Sequence, residues 1–297
     1  MPYVLGPTVS VGTFPVGLTF GSGSLWVGDP NLDSIFRIDP VALSVTATIT
    51  GVSDPTAIHY AFGSVWARSG NNIKRVDPAT NTVTATIAMG SAPEDITSDS
   101  TDVWVANRTG STTKRIDPTT DTVTATLTSS LPRAVAVGFG SIWIASGVNT
   151  IDRWDASTLA FTTSTTMASG ELANDLRCVF GSVWATTSRF STPRLSVIEV
   201  DPASNAIVSR LRSSGDQGGT EITDDGSGIW YTQGNPEAIR RVDPTTVLIT
   251  DDLRVFATPQ GCTVDDDNKV WFAHGTVVQR VDFLPDPVGW VRGHAWG

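Results

Sequence analysis

Phe62-Gly63-Ser64-Val65-Trp66 opens the stretch that decides the fold. After a short polar gap it continues as Ile73-Lys74-Arg75-Val76-Asp77-Pro78-Ala79-Thr80 and then Asn81-Thr82-Val83-Thr84-Ala85-Thr86-Ile87. Gly63-Ser64 is tight-turn chemistry, and Asp77 followed by Pro78 opens a type I turn. Thr82 to Ile87 alternates hydroxyl and apolar residues with the period of two expected of a half-exposed strand. The stretch therefore reads as turn, strand, strand, turn, strand.

The chain carries seven copies of it. Tryptophans mark them at Trp26, Trp66, Trp104, Trp143, Trp184, Trp230 and Trp271, with spacings of 40, 38, 39, 41, 46 and 41. A period near forty built from short strands indicates a propeller or a solenoid. No copy holds ten residues of 3.6 periodicity, which removes helical solenoids.

A fourth strand precedes the turn and starts after a proline in most copies, as in Pro15-Val16-Gly17-Leu18, Pro55-Thr56-Ala57-Ile58, Pro93-Glu94-Asp95-Ile96 and Pro132-Arg133-Ala134-Val135. Proline is tolerated at a strand start. Copies five and six replace it with Ala173 and Gly219, and copy seven restores it with Pro259. Copy seven lacks its last strand, while Thr8 to Val11 precedes the first copy as a spare. The expectation is an all-β, seven-bladed β-propeller of four-stranded antiparallel blades, its ring closed by the N-terminal strand. Val288 to Val291 is the rival for that slot. Residues 1–287 form the single domain, and 288–297 a tail.

Arg-x-Asp-Pro recurs as Arg37 to Pro40, Arg75 to Pro78, Arg115 to Pro118 and Arg241 to Pro244. Arginine and aspartate two apart share a strand face. A turn and rim contact repeated for the scaffold explains the pair better than a site does. The acidic run Asp265-Asp266-Asp267 lacks the glycine and downstream glutamate of a calcium loop.

Aligning the first strands produces the column Gly17, Ala57, Asp95, Ala134, Asp175, Glu221 and Gly261. Beside it stand Glu94, Arg133, Asn174 and Thr220, and two residues further along His59 and Arg177. These strands line the axis, where glycine and threonine would satisfy a scaffold. Glu94, Asp95, Arg133, Asp175, Arg177 and Glu221 are departures, and they are the candidate ligand residues at the channel mouth. Two further candidates follow the tryptophans: Arg68, where other copies hold Gly, Ala or Thr, and His274, in a variable position with Asp29, Ser69, Asn107, Ser146, Thr187 and Gln233. The plainer alternative is a water-filled channel whose charges neutralise one another. A divalent cation at the axial carboxylates is the one cofactor the pattern suggests, and none is expected otherwise.

Meandering blades place first-to-second and third-to-fourth turns on one face of the disc, and the remaining loops on the other. The second face varies here, with Arg189, Phe190 and Arg194 in one long loop and Asp216 in another. Variable loops on a rigid scaffold carry binding. With Trp290 and Trp296 of the tail, these residues are the candidates for partner contact.

Pro15-Val16-Gly17-Leu18, Gly63-Ser64-Val65-Trp66 and Arg37-Ile38-Asp39-Pro40 resemble the streptogramin (virginiamycin B) lyase-like propellers and the related YVTN and NHL repeats. The resemblance covers nearly the whole chain. It implies a propeller, and for the lyases an elimination using inner-strand histidines and glutamates near magnesium. This chain departs from that pattern, since its first strands hold one histidine, His59.

Composition bounds the rest. The net charge is −10 with no basic run, against a nucleic-acid partner. No stretch approaches eighteen apolar residues, so no membrane span is expected. The two cysteines, Cys178 and Cys262, form no framework or CxxC spacing. The N-terminal residues do not read as a secretory signal. P-loop, HExxH, GxSxG and dinucleotide fingerprints are missing. The expected function is a non-enzymatic binding scaffold for a protein or surface glycan, including other virion proteins, at an extracellular or virion surface such as a phage tail. A metal-assisted lyase using the axial carboxylates is the alternative.

Overall fold

A computed structural model describes residues 3–147, 149–189, 195–212 and 219–283. They form seven four-stranded antiparallel sheets, each a meander from an inner to an outer strand. The inner strands are Leu18–Gly21, Ile58–Ala61, Asp95–Ser98, Ala134–Gly138, Glu171–Val179, Gly219–Asp224 and Pro259–Val264, which number the blades 1 to 7. The outer strand of blade 7 is the N-terminal Tyr3–Ser10, paired with Val277–Phe283. The ring is thus closed by the chain's own first strand. The rival slot-filler, Val288 to Val291, lies outside the described residues.

The tryptophan of each second strand is fully buried and packs forward onto the next blade. Trp26 lies with Ile58, Val65 and Val76 of blade 2, and Trp184 with Ile222, Ile229 and Tyr231 of blade 6. Trp271 joins Leu18, Leu25 and Ile38 of blade 1 and so completes the circle. The core is therefore seven layers between blades, each resting on one large apolar side chain.

The turns explain the repeat. Phe62 and Gly63, Phe139 and Gly140, and Phe180 and Gly181 all have positive φ, the signature of type I′ hairpins. In blades 1, 2 and 4 the indole N–H donates to a turn carbonyl, that of Gly21, Ala61 or Gly138. In blades 3, 6 and 7 an aspartate heads the turn and accepts it instead: Asp99, Asp225 or Asp265. Asp265 also accepts from the backbone of Asp267 and Lys269, so the acidic run is turn chemistry.

In blades 1, 2 and 4 the arginine of the third strand is a staple to the next blade. Arg37 stacks 5.0 Å over Trp26, donates to Ser24, and reaches blade 2 at the Pro78 carbonyl (2.7 Å) and Asn81. Arg75 does the same to Pro118 and Asp121, and Arg153 to Pro202 and Asn205. A register shift follows this arginine in the third strand, as at Arg37/Ile38, Arg75/Val76 and Arg153/Trp154, and re-aims the chain into the turn. The junction from blade 6 to blade 7 is made differently. Arg241 stacks 5.5 Å over Tyr3 of the closing strand, whose ring meets Trp230 edge-on.

Candidate functional site

The inner strands surround an axial channel whose width is set by which side chains the column carries. A Cβ on Gly261 would lie 2.2 Å from the Val16 carbonyl oxygen, and one on Gly17 2.8 Å from that of Thr56. Only glycine fits where blades 7, 1 and 2 approach so closely. The opposite side of the channel carries Asp95, Asp175 and Glu221, and these three carboxyls separate two basins.

The basin on the face of the fourth-to-first and second-to-third loops has a volume of about 400 Å³. It is lined by Arg68, Glu94, Asp95, Arg133, Asp175 and Glu221, together with Val16, Thr56, Asn174 and Thr220. Six of the eight candidate ligand residues therefore meet in one place. The basin on the other face, about 270 Å³, shares the three acids and adds His59, Arg177 and a band of threonines that includes Thr19, Thr97, Thr223 and Thr263. Arg177 belongs to that second mouth, where it pairs with Asp224 at 2.9 Å. His274 lines neither basin; it stacks on Phe272 and bonds Gln279.

The acids are held as clasps. Asp95 accepts from its neighbour Ile96 N–H (2.7 Å) and from Val135 N–H of blade 4 (2.8 Å). Asp175 accepts from Leu176 N–H (2.7 Å) and from Ile222 N–H of blade 6 (2.9 Å). Glu221 shares a hydrogen bond with Asp175. Water reaches Glu221 along the axis, but protein surrounds the channel, and that enclosure dominates its electrostatics. Enclosure, with the charges of Asp175 and then Asp95, pushes Glu221 well above the usual carboxylate range. Asp175 is raised by burial against its backbone bonds, and burial with the Asp175 charge lifts Asp95 to about 7. Enclosure and mutual repulsion thus favour a proton in the hydrogen bond between Glu221 and Asp175.

The arginines do not neutralise this cluster. Arg68 is spent on Asp54 (2.7 Å) and Thr56, although its Nε is buried without a partner. Arg108 pairs with Glu94 at 3.4 Å. Arg133 makes no side-chain hydrogen bond or ion pair with any described residue; burial and Arg108 lower its pKa, and Glu94 acts against them. Arg108 is the residue the first-strand alignment leaves out. It stands four after Trp104, where other copies hold Pro30, Gly70, Gly147, Ser188, Gly234 and Gly275.

Two residue types that suggested chemistry are quiet. His59 is pressed down to about 4 by burial and Arg177, and its neutral ring bonds Ser98. Burial raises Cys178 to about 12, and also raises Cys262, so both thiols stay protonated. Among the described residues no three His, Cys, Asp or Glu side chains are placed to hold a metal ion.

Six of the seven variable positions three after the tryptophans are buried, and His274 is the partly exposed one. Asp29, Asn107, Thr187 and Gln233 are fully enclosed, and Asp29 binds the backbone of Thr13, Phe14, Asn31 and Leu32. Of the partner-contact candidates, Arg189 ends the second strand of blade 5, paired with Glu171. Phe190, Arg194, Asp216, Trp290 and Trp296 lie outside the described residues. No described helix is long and apolar enough to cross a membrane.

No protein-family model matches the chain, and no curated protein matches it. Solved structures do. The WD40 β-propeller domain of Doa1 superposes with a TM-score of 0.80 at 11% identity, over 94% of this chain and 96% of that one. Hydrazine synthase of Kuenenia stuttgartiensis superposes at 0.77 with 13% identity, over 92% and 97%. At such identities the likeness is one of fold. The resemblance to the lyase-like, YVTN and NHL families rests on the repeat residues alone.

Proposed function

We propose that this propeller is a non-enzymatic binding scaffold that receives a protein or surface-glycan partner on its loop face, over the axial basin. One observation carries the reading. The departures Arg68, Glu94, Asp95, Arg133, Asp175 and Glu221 converge on that face, whereas the other face is built from repeated type I′ and Asp-Pro turns. Rigid scaffolds with divergent loops and a polar central cavity suit recognition. The setting we attach to it is an extracellular surface or a virus particle. Exposed Thr82, Thr84 and Thr86 on the outer strand of blade 2 and a net charge of −10 support a solvated rim.

The lyase alternative has less support: its acids are clasps, its one inner histidine is neutral and bonded, and the carboxyls do not frame a cation. Cross-linked capture from extracellular and particle fractions, run beside a glycan array, tests the scaffold reading. Wild type and an Arg68→Ala/Arg133→Ala variant are compared. Capture of a protein or glycan by wild type, lost in the variant, is expected. Equal capture by both overturns the loop face as the docking face.

A further inference from the structure

The loop-face basin has unspent charge of both signs. Arg68 and Arg108 are paired with Asp54 and Glu94. That leaves Arg133 in the wall, a partly buried guanidinium with no hydrogen-bond or ion-pair partner among the described residues and Arg108 repelling it. In the floor, Asp175 and Glu221 share a proton without a salt bridge to an arginine, and Asp95 stands beside them. A partly buried, unpaired charge is open to a complementary ligand, which gains a charge-assisted contact there. No aromatic side chain lines the basin, so nothing there stacks a ring. A ligand with only an anionic end would satisfy Arg133 and be repelled by the floor. One with only a cationic end would meet the reverse.

We propose that this basin binds a small zwitterion of the amino-acid type, its carboxylate taken by the Arg133 fork and its ammonium by the Asp175–Glu221 pair. The inference rests on the reading of the loop face as the ligand face. Arginine binds carboxylates through two parallel N–H bonds, which fixes the anionic end. An ammonium over the acid pair favours its fully ionised form, so the proton shared with Glu221 leaves to solvent as the ligand enters.

The test is isothermal titration calorimetry with ω-amino acids from glycine to 6-aminohexanoate, a series that scans the distance between the two charges. Butyrate and butylamine serve as single-charge controls. Each titration is run in two buffers of different ionisation heat, so that proton release is read directly. One chain length should bind saturably, and each control should bind at least tenfold more weakly, roughly the worth of one charge-assisted contact. Arg133→Met should cost at least tenfold, and Glu221→Gln should reduce proton release, with both folds checked by circular dichroism. The proposal falls if no zwitterion saturates, if butyrate equals the best zwitterion, or if Arg133→Met binds like wild type. Should that happen while partner capture still depends on Arg68 and Arg133, only the ligand class is wrong. If capture is also indifferent to them, the loop-face reading goes too.

Discussion

The rim and the axis solve one mechanical problem with opposite charges. At the rim, Arg37, Arg75 and Arg153 tie blades 1 to 2, 2 to 3 and 4 to 5. At the axis, Asp95 and Asp175 tie blades 3 to 4 and 5 to 6. The two sets do not overlap. Arg115 stays over Trp104 and bonds Thr124, and the turn it would reach in blade 4 reads Asp155-Ala156 without the proline. Blade 5 has Glu199 in the arginine position, bonded to Ser182, and Trp184 has lost both the cation and an indole partner. At two of the junctions without the rim staple, 3 to 4 and 5 to 6, an axial carboxylate is present. A departure from a repeat is thus not by itself a mark of function; here two of them replace a lost structural contact.

Asp175→Ala should break the comparison most visibly. It strands the N–H groups of Leu176 and Ile222 beside buried side chains, each worth about 1–3 kcal/mol, and relieves some repulsion with Glu221. A net loss of about 2–4 kcal/mol, or roughly 5–15 °C in Tm, is expected by calorimetry. A loss below about 0.5 kcal/mol would mean that the rim holds the 5-to-6 junction without it.

Next comes pH. The axial acids have folded pKa values above their unfolded ones, so the folded chain holds more protons between about pH 4 and 7. Their contribution therefore grows as pH falls from 7 toward 4. The rim turns run the other way. Backbone bonds lower Asp39 and Asp243, and side-chain and backbone bonds hold Asp155 at about 2, so their stabilisation is lost on further acidification. Unfolding free energies from urea titration should rise between pH 7 and 5 by an amount on the order of 1–2 kcal/mol, and fall below about pH 4. A flat profile from 7 to 5 would remove the raised acids from the account.

The fold was legible because its signals repeat: tryptophan spacing, Asp-Pro turns and period-two outer strands each recur often enough to average out local noise. The axial column was also legible, and six of its charged departures and neighbours do gather in one basin. Their structural duty was not. It depends on a carboxylate meeting a backbone N–H of the following blade, and main-chain donors leave no trace in residue identity. The positions three after each tryptophan do not line the basin, for a geometric reason. With a period of two, the residue three further on faces the opposite side of its sheet and is covered by the preceding blade. Glu199 and Ala156 are the sequence clues to the missing staples, readable only once the staple itself is known.

The smallest effect sharpens the comparison from the other side. Glu199→Arg should rebuild the rim staple, with its guanidinium over Trp184 and its Nε on Ser182. The proline-plus-three residue of blade 6 is Val247, which offers no side-chain acceptor, so the gain should be about 0.5–1 kcal/mol. The same change in the Asp175→Ala background should restore about that much. No gain in either background would show that the rim geometry at this junction has diverged.

The closing strand has a consequence for how the chain is made. Tyr3 pairs with Phe283 and Leu5 with Val281. During synthesis at about 5–20 residues per second, the first strand waits roughly 15–55 s for its partner to emerge. Blades 1 to 6 are complete by then, and closing the loop over almost the whole chain is entropically cheap per added residue. Emergence of the Val277–Phe283 strand is the step that locks the ring, and until it happens Trp230 and Trp271 each lack one wall of their pocket. A ribosome paused before residue 277 therefore carries an open arc with an apolar notch at each end, the form in which this protein is most exposed to chaperones and to its own neighbours.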